Sequence, residues 1–331
     1  MLKLVDLHCD FANNYVPDAR FLVAGLRTAT RYSYDFTRQH EEGDLFAVDY
    51  PSLTRANTKA LICSIHSPLV HDGQPLGHVL SVANMVMDAI ERADGIELVR
   101  DRQSFLEVTR RGMIAVVLGL ENADVFHRDL NVLSSLFRLG FRACTPAWYG
   151  RNCVCDSGRE SEDSGLSSFG RRAVERMVEL GMLVDVSHMN AAGIHDCLRI
   201  TGGRGLFASH SDCFAECPTP RNLSDPLLEQ LAESGGCVGI TFVPRFLNGT
   251  ERAGVADVVR HIQHAVQVMG PDAVAIGSDF DGTNEHVTGL ERISQVHNLA
   301  EALASDGLSA HQIENVFWRN ATRFLMDNLP A

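Results

Sequence analysis

An α/β barrel of alternating strands and helices is the fold class this sequence predicts, on three observations. Eight apolar, strand-like runs (2–8, 60–66, 113–120, 141–147, 183–188, 205–209, 237–243 and 273–278) recur at intervals suited to βα units, and eight is the number a closed parallel barrel requires. Helical patterns lie between them. Five of the stretches end in a residue type that ligates metals: LKLVDLHCD at 2–10, MIAVVLGLE at 113–121, LVDVSH at 183–188, GLFASH at 205–210 and AVAIGSD at 273–279. One such ending carries little weight. Five on one chain predict strand ends that converge on one centre, at the end of a barrel where sites are built.

The helices carry their own signals. Residues 77–94 follow Pro75 and place Val79, Val82, Ala83, Val86 and Ile90 at helical spacing. Residues 169–180 stop at Gly181, which suits a left-handed cap. Residues 224–234 open Ser-Asp-Pro, with proline in the first turn. Residues 254–269 and 309–326 are amphipathic as well. The largest insertion, roughly residues 11–58, follows the first strand and brings Phe11, Tyr15, Phe21, Tyr32, Tyr34 and Phe36. On a barrel it belongs at the C-terminal rim, where it helps roof a site. A second, polar rim loop spans 148–166. No repeat, low-complexity linker or break in composition divides the chain, so residues 1–331 are expected to form one (β/α)8 domain.

Composition narrows the function. Hydrophobic residues at 45% and charged residues at 21% are those of an ordinary globular protein. The net charge of −13 argues against nucleic-acid or anionic-membrane partners. Strand-like sequence begins almost at Met1, which predicts no removable leader, and no apolar run reaches membrane-spanning length. Nine cysteines, mostly within apolar runs (Cys9, Cys63, Cys144, Cys237), fit buried free thiols and a reducing, cytoplasmic compartment. Cys153 and Cys155 are too near in the chain for an unstrained disulfide and read as loop thiols.

His8 and Asp10 are two apart in a strand and so share a face. With Glu121, His188 and His210 they make three imidazoles and two carboxylates. That exceeds the three protein ligands of a mononuclear catalytic zinc and suits two cations sharing a carboxylate. Glu121, on the third barrel strand between the first-strand pair and the later histidines, is the natural bridge. Such a pair can hold a hydroxide at neutral pH and polarise a carbonyl. Oxygen and nitrogen ligands without thiolate fit zinc, with manganese or cobalt as substitutes. A carboxylate at the end of IGSDFDG can carry a proton from water to a leaving amine. Asp279 and Asp281 have the same parity, and spacing alone does not choose between them.

Taken together, DLHCD at 6–10, GLEN at 119–122, SGLSSFGRRAVERMVELGMLVDVSH at 164–188, ASHSD at 208–212, TPRNLSD at 219–225, IGSDFDG at 276–282 and GLSAHQIENVFWRNATRFL at 307–325 resemble the membrane (renal) dipeptidase family. Its members are binuclear zinc peptidases of the amidohydrolase superfamily, and the likeness runs in order over nearly the whole chain. The resemblance implies a distorted (β/α)8 barrel with one zinc on His8 and Asp10, the other on His188 and His210, and Glu121 bridging. It puts the acid/base aspartate at Asp279 and the substrate-carboxylate arginine at Arg221, where a bidentate fork would fix a dipeptide's C-terminus. It also implies a dipeptide substrate of L-Xaa-D-Xaa or L-Xaa-Gly type, and a homodimer.

Three positions depart from the family pattern. A histidine that contacts the scissile carbonyl is Trp148 here, whose indole donates one hydrogen bond but neither titrates nor ligates metal. A Gly-Gly before strand two is Asn57-Thr58, and a glycine of the final helix is Arg319. Trp148 admits a second reading, in which the substrate is another amide, a lactam or an N-acyl amino acid. A catalytically weak binding or scaffold relative is the third, against which the retention of all five ligands and Asp279 argues. Asp6 reads as support beneath His8 or as barrel interior. His66, His71, His78, His261, His264 and His286 read as ordinary histidines, with His66 at the rim.

Overall fold

Parallel strands alternate with helices from one end of the chain to the other. The computed structural model describes residues 1–15, 34–40, 46–67, 75–160 and 164–331. Phe21, Tyr32 and His71 lie outside the described residues. The strands are β1 Leu4–Cys9, β2 Thr58–His66, β3 Ile96–Leu98, β4 Ile114–Glu121, β5 Phe141–Thr145, β6 Leu183–Asp185, β7 Leu206–Phe207, β8 Val238–Ile240, β9 Ala253–Gly254, β10 Val274–Ile276 and β11 Val287–Thr288. Eight of them run side by side in the order β7-β6-β5-β4-β2-β1-β10-β8. A parallel bridge between Ala208 and Val238 joins the two ends, with Gly239 N donating to Ala208 O at 2.9 Å. The sheet thereby closes into the eight-stranded barrel.

Side-chain parity explains how the barrel fills. Along β2 and β4, Ala60, Ile62, Ala115 and Val117 belong to one buried cluster with Leu183, Phe207 and Ala275, and with Phe324 and Leu325 of the C-terminal helix Asn320–Asn328. Their neighbours Leu61, Cys63, Val116 and Leu118 join the larger cluster packed among the helices. The inward parity of β4 ends at Glu121. In β1 the register slips by one residue between the pairs Asp6–Leu61 and Cys9–Cys63. Such a bulge re-aims side chains, and it carries His8 and Asp10 to the same space as Glu121.

The helices start and stop where their caps dictate. Ser168–Leu180 begins with Ser167 accepting from Gly170 N and ends at Gly181, φ 75°. Pro226 sits in the first turn of Asp225–Glu233. Five strands stop before their apolar runs do: 141–147, 183–188, 205–209, 237–243 and 273–278 end early as β5, β6, β7, β8 and β10. The chain turns over the rim before the runs end, and His188 and Asp279 take positive φ values of 68° and 61°. Three further strands are additions to the eight runs. β3 lies beside the start of β4, and β9 pairs with β11; all three are too short for periodicity to reveal. Asn57, in place of the expected glycine, sits at φ 55° and donates to the carbonyls of Met1 and Leu2, a conformation asparagine tolerates.

Candidate metal centre

The five ligand-type residues meet at the C-terminal end of the barrel. Three sets of side chains each bring their ligand atoms within 4.8 Å of one another: His8, Asp10 and Glu121; Glu121, His188 and His210; His8, His210 and Asp279. Glu121 belongs to both of the first two. Its Oε1 lies 3.8 Å from His8 Nε2, 3.1 Å from His188 Nε2 and 3.5 Å from His210 Nε2. The five residues are buried, each at most 6% exposed. Burying so many ionisable groups together is costly unless a partner compensates.

A hydroxyl beneath the cluster sets the histidine tautomers. Ser209 Oγ donates to Asp185 Oδ2 at 2.6 Å and lies 2.9 Å from His8 Nδ1 and 2.7 Å from His210 Nδ1. Its one hydrogen goes to the carboxylate, so both rings donate to it from Nδ1 and present Nε2 to the pocket. His8 Nε2 and Asp10 Oδ1 are buried without hydrogen-bond partners. Asp6 supports the floor, accepting from His8 N at 3.2 Å and from Ser278 Oγ at 2.5 Å, and burial pushes its carboxyl up to about 6. His188 and Asp279 both hold left-handed backbone. This costs a side-chain-bearing residue about 1–2 kcal/mol, strain of the kind found at functional sites.

The charge states suit cation binding. Burial, then Arg221, depresses His188 to about 3, and burial holds His210 well below its usual value, so both imidazoles are neutral and carry free lone pairs. Burial opposes ionisation of Glu121, but hydrogen bonds from His188 and His66 and the charge on His8 hold it well below the usual carboxylate range. Burial also opposes a charge on His8, yet Asp10, Glu121 and Asp279 raise it to about 10. The three imidazoles and two carboxylates, with His8 Nε2 and Asp10 Oδ1 lacking partners within the chain, fit divalent cations.

The structure separates the two candidate aspartates. Asp279 Oδ1 is 4.0 Å from His8 Nε2, and burial, then Asp10, pushes its carboxyl well above the usual range. Asp281 faces away, accepting from Ala47 N at 2.8 Å and Val48 N at 3.2 Å. Arg221 is buried, donating from Nη1 to Ser211 Oγ at 3.0 Å and from Nη2 to His210 O at 2.6 Å. Its Nε is buried without an acceptor. Trp148 is half-buried between His66 and Tyr149, with ring centroids 4.1 and 4.3 Å away, and 6.3 Å from His188.

His66, read from the sequence as a rim histidine, is in none of the ligand sets, but its Nδ1 lies 3.3 Å from Glu121 Oε2. In-register pairing of β2 and β4 puts it opposite Glu121. Ser209, Asp185 and Tyr149 also passed unnoticed in the sequence. For the serines a signal existed: Ser187-His188, Ser209-His210 and Ser278-Asp279 each set a hydroxyl beside a site residue. All nine cysteines are free, with Cys153 half-buried and Cys155 buried, as expected of loop thiols.

Residues 1–328 match the family described as membrane dipeptidase, peptidase family M19. Dipeptidase tcpJ of Claviceps purpurea (strain 20.1) is 33% identical over 238 residues, 71% of this chain and 56% of that protein. Dipeptidase verJ of Clonostachys rogersoniana is 34% identical over 249 residues, 74% of this chain and 63% of that protein. The matched stretch spans less than two thirds of either relative's length. The metallo peptidase of Rhodobacter sphaeroides, solved with a phosphinate mimic of the dipeptide L-Ala-D-Ala, shares the fold. Its TM-score is 0.84 at 23% identity, covering 99% of both chains. On the match over residues 1–328, this chain belongs to the membrane dipeptidase family.

Proposed function

We propose that the chain, as one barrel domain, is a binuclear zinc dipeptidase that hydrolyses the amide of a small L-Xaa-D-Xaa or L-Xaa-Gly dipeptide. The observation that carries this reading is Glu121, common to two ligand sets that between them use His8, Asp10, His188 and His210. His8 and Asp10 would hold one cation, His188 and His210 the other, and Glu121 would be shared between them. Bound there, zinc supplies the Lewis acidity that activates water and polarises the scissile carbonyl.

The remaining roles belong to side chains. Asp279 takes a proton from the attacking water and returns it to the departing amine, a role its raised pKa suits. Arg221 pairs with the substrate's free carboxylate. Two of its five N–H donors are used within the chain, and Nε is among the unused. Trp148 and Tyr149 form a wall beside His188. Among the described residues no helix is long and apolar enough to cross a membrane, and the free thiols suit a cytoplasmic setting.

Two measurements test the reading. Elemental analysis should find that Glu121→Ala loses both metals while His8→Ala retains one more firmly; equal contents contradict the bridge. A substrate panel with the zinc-loaded protein should favour dipeptides over N-acyl amino acids and lactams. The reverse preference would install the second reading, which Trp148 motivates.

A further inference from the structure

Among the described residues, His66 stands against Glu121 and is left unused by the proposed reaction. Its Nδ1 meets Glu121 Oε2 at 3.3 Å, while Oε1 faces the three other imidazoles. A carboxylate only accepts, so Nδ1 carries the proton and donates. Each carboxylate oxygen has two lone pairs, and the bond leaves one on Oε2 for a cation. The His66 ring also packs on Trp148, with centroids 4.1 Å apart at 58°. Trp148 in turn packs on Tyr149 at 4.3 Å, and the guanidinium of Arg159 covers Tyr149 at 3.8 Å. One imidazole thus touches both the carboxylate shared by the two ligand sets and the aromatic wall.

We propose that His66 is a positioning residue that fixes the rotation of the Glu121 carboxylate through its Nδ1–H and the placement of Trp148 through its ring. A metal-touching carboxylate free to rotate presents its oxygens less often in a ligating geometry, so its hydrogen-bond partner contributes to metal retention. Trp148 stands where the family pattern has a histidine, and its bulky ring needs backing from a neighbour. His66 provides that backing from the strand next to β4. The inference deepens the dipeptidase reading at the same site, and its decisive readouts do not need turnover.

Two variants divide the functions. His66→Asn keeps an N–H donor near the Nδ1 position and removes the ring, whereas His66→Phe keeps a ring against Trp148 and removes the donor. Zinc retention is read by competition with a chromogenic chelator. Trp148 placement is read by acrylamide quenching of tryptophan emission, with Trp318 as the only other indole. His66→Phe should surrender zinc about tenfold more readily than the parent, with quenching unchanged. His66→Asn should retain zinc as the parent does, with increased quenching and, on dipeptides the parent hydrolyses, a raised KM at similar kcat. Equal zinc loss in both variants, unchanged retention in His66→Phe, or unchanged quenching in His66→Asn overturns the proposal. A parent inactive on every dipeptide overturns the dipeptidase reading instead, and the zinc and quenching contrasts still decide the role of His66.

Discussion

Replacing Gly282 with alanine would set a methyl carbon 2.2 Å from Asp279 Oδ1 and 2.3 Å from Asp10 Oδ2. Real Cβ atoms essentially never come within 3.0 Å of a neighbour, so each oxygen must retreat by at least ~0.7–0.8 Å. The backbone offers no obstacle, because Gly282 lies outside the left-handed region that excludes side chains. Both clashing atoms are the tips of side chains, and relief comes from rotating them off their rotamers at about 0.5–1.5 kcal/mol each. Stability should therefore fall by only ~1–3 kcal/mol. Catalysis should suffer far more, because a displacement near 1 Å of a ligand and of the proton carrier costs roughly a hundredfold. Steady-state kinetics, metal content and thermal unfolding of Gly282→Ala against the parent give the assay. The expected result is kcat/KM down about a hundredfold with a Tm only a few degrees lower. A kcat/KM equal to the parent's would show that the Asp10–Asp279 pair does not need its present geometry.

The two aspartates of SDFDG should respond in opposite ways. Asp279→Asn should fold and bind metal normally while kcat falls roughly a hundredfold or more; Asp281→Asn should mainly lower Tm, because the carboxylate that accepts from Ala47 N and Val48 N is lost. The reverse pattern would assign the proton carrier to Asp281. Trp148→Ala should chiefly raise KM, and Trp148→His should redirect preference across a dipeptide panel; a large fall in kcat at constant KM would make the indole a transition-state contact instead.

Much of the centre was legible because its residues are chemically out of place. An imidazole or carboxylate ending an apolar strand has few reasons to be buried there, and five of them betray a shared purpose. The helices were legible from local punctuation such as Gly181 and Ser224-Asp225-Pro226. Where each strand stops was not, because the apolar runs continue past the residues at which the chain turns over the rim. His188 and Asp279 owe their aim to left-handed backbone that no residue type announces. The one-residue slip in β1 is equally silent, although it brings His8 and Asp10 inward. The contact of His66 with Glu121 was silent because it lies in the residue opposite. Register between β2 and β4 makes it a partner of Glu121, and register is a property of the closed sheet. Parity could not separate Asp279 from Asp281, since the difference lies in which turn each side chain faces.

The measurement closest to the central claim is a zinc titration of chelator-treated protein, following hydrolysis of an L-Xaa-D-Xaa dipeptide as metal is added back. The account predicts no turnover without metal and a rise in kcat/KM that saturates at two equivalents per chain, the number Glu121 can serve if it bridges. Saturation at one equivalent, or hydrolysis that survives complete removal of metal, would contradict it.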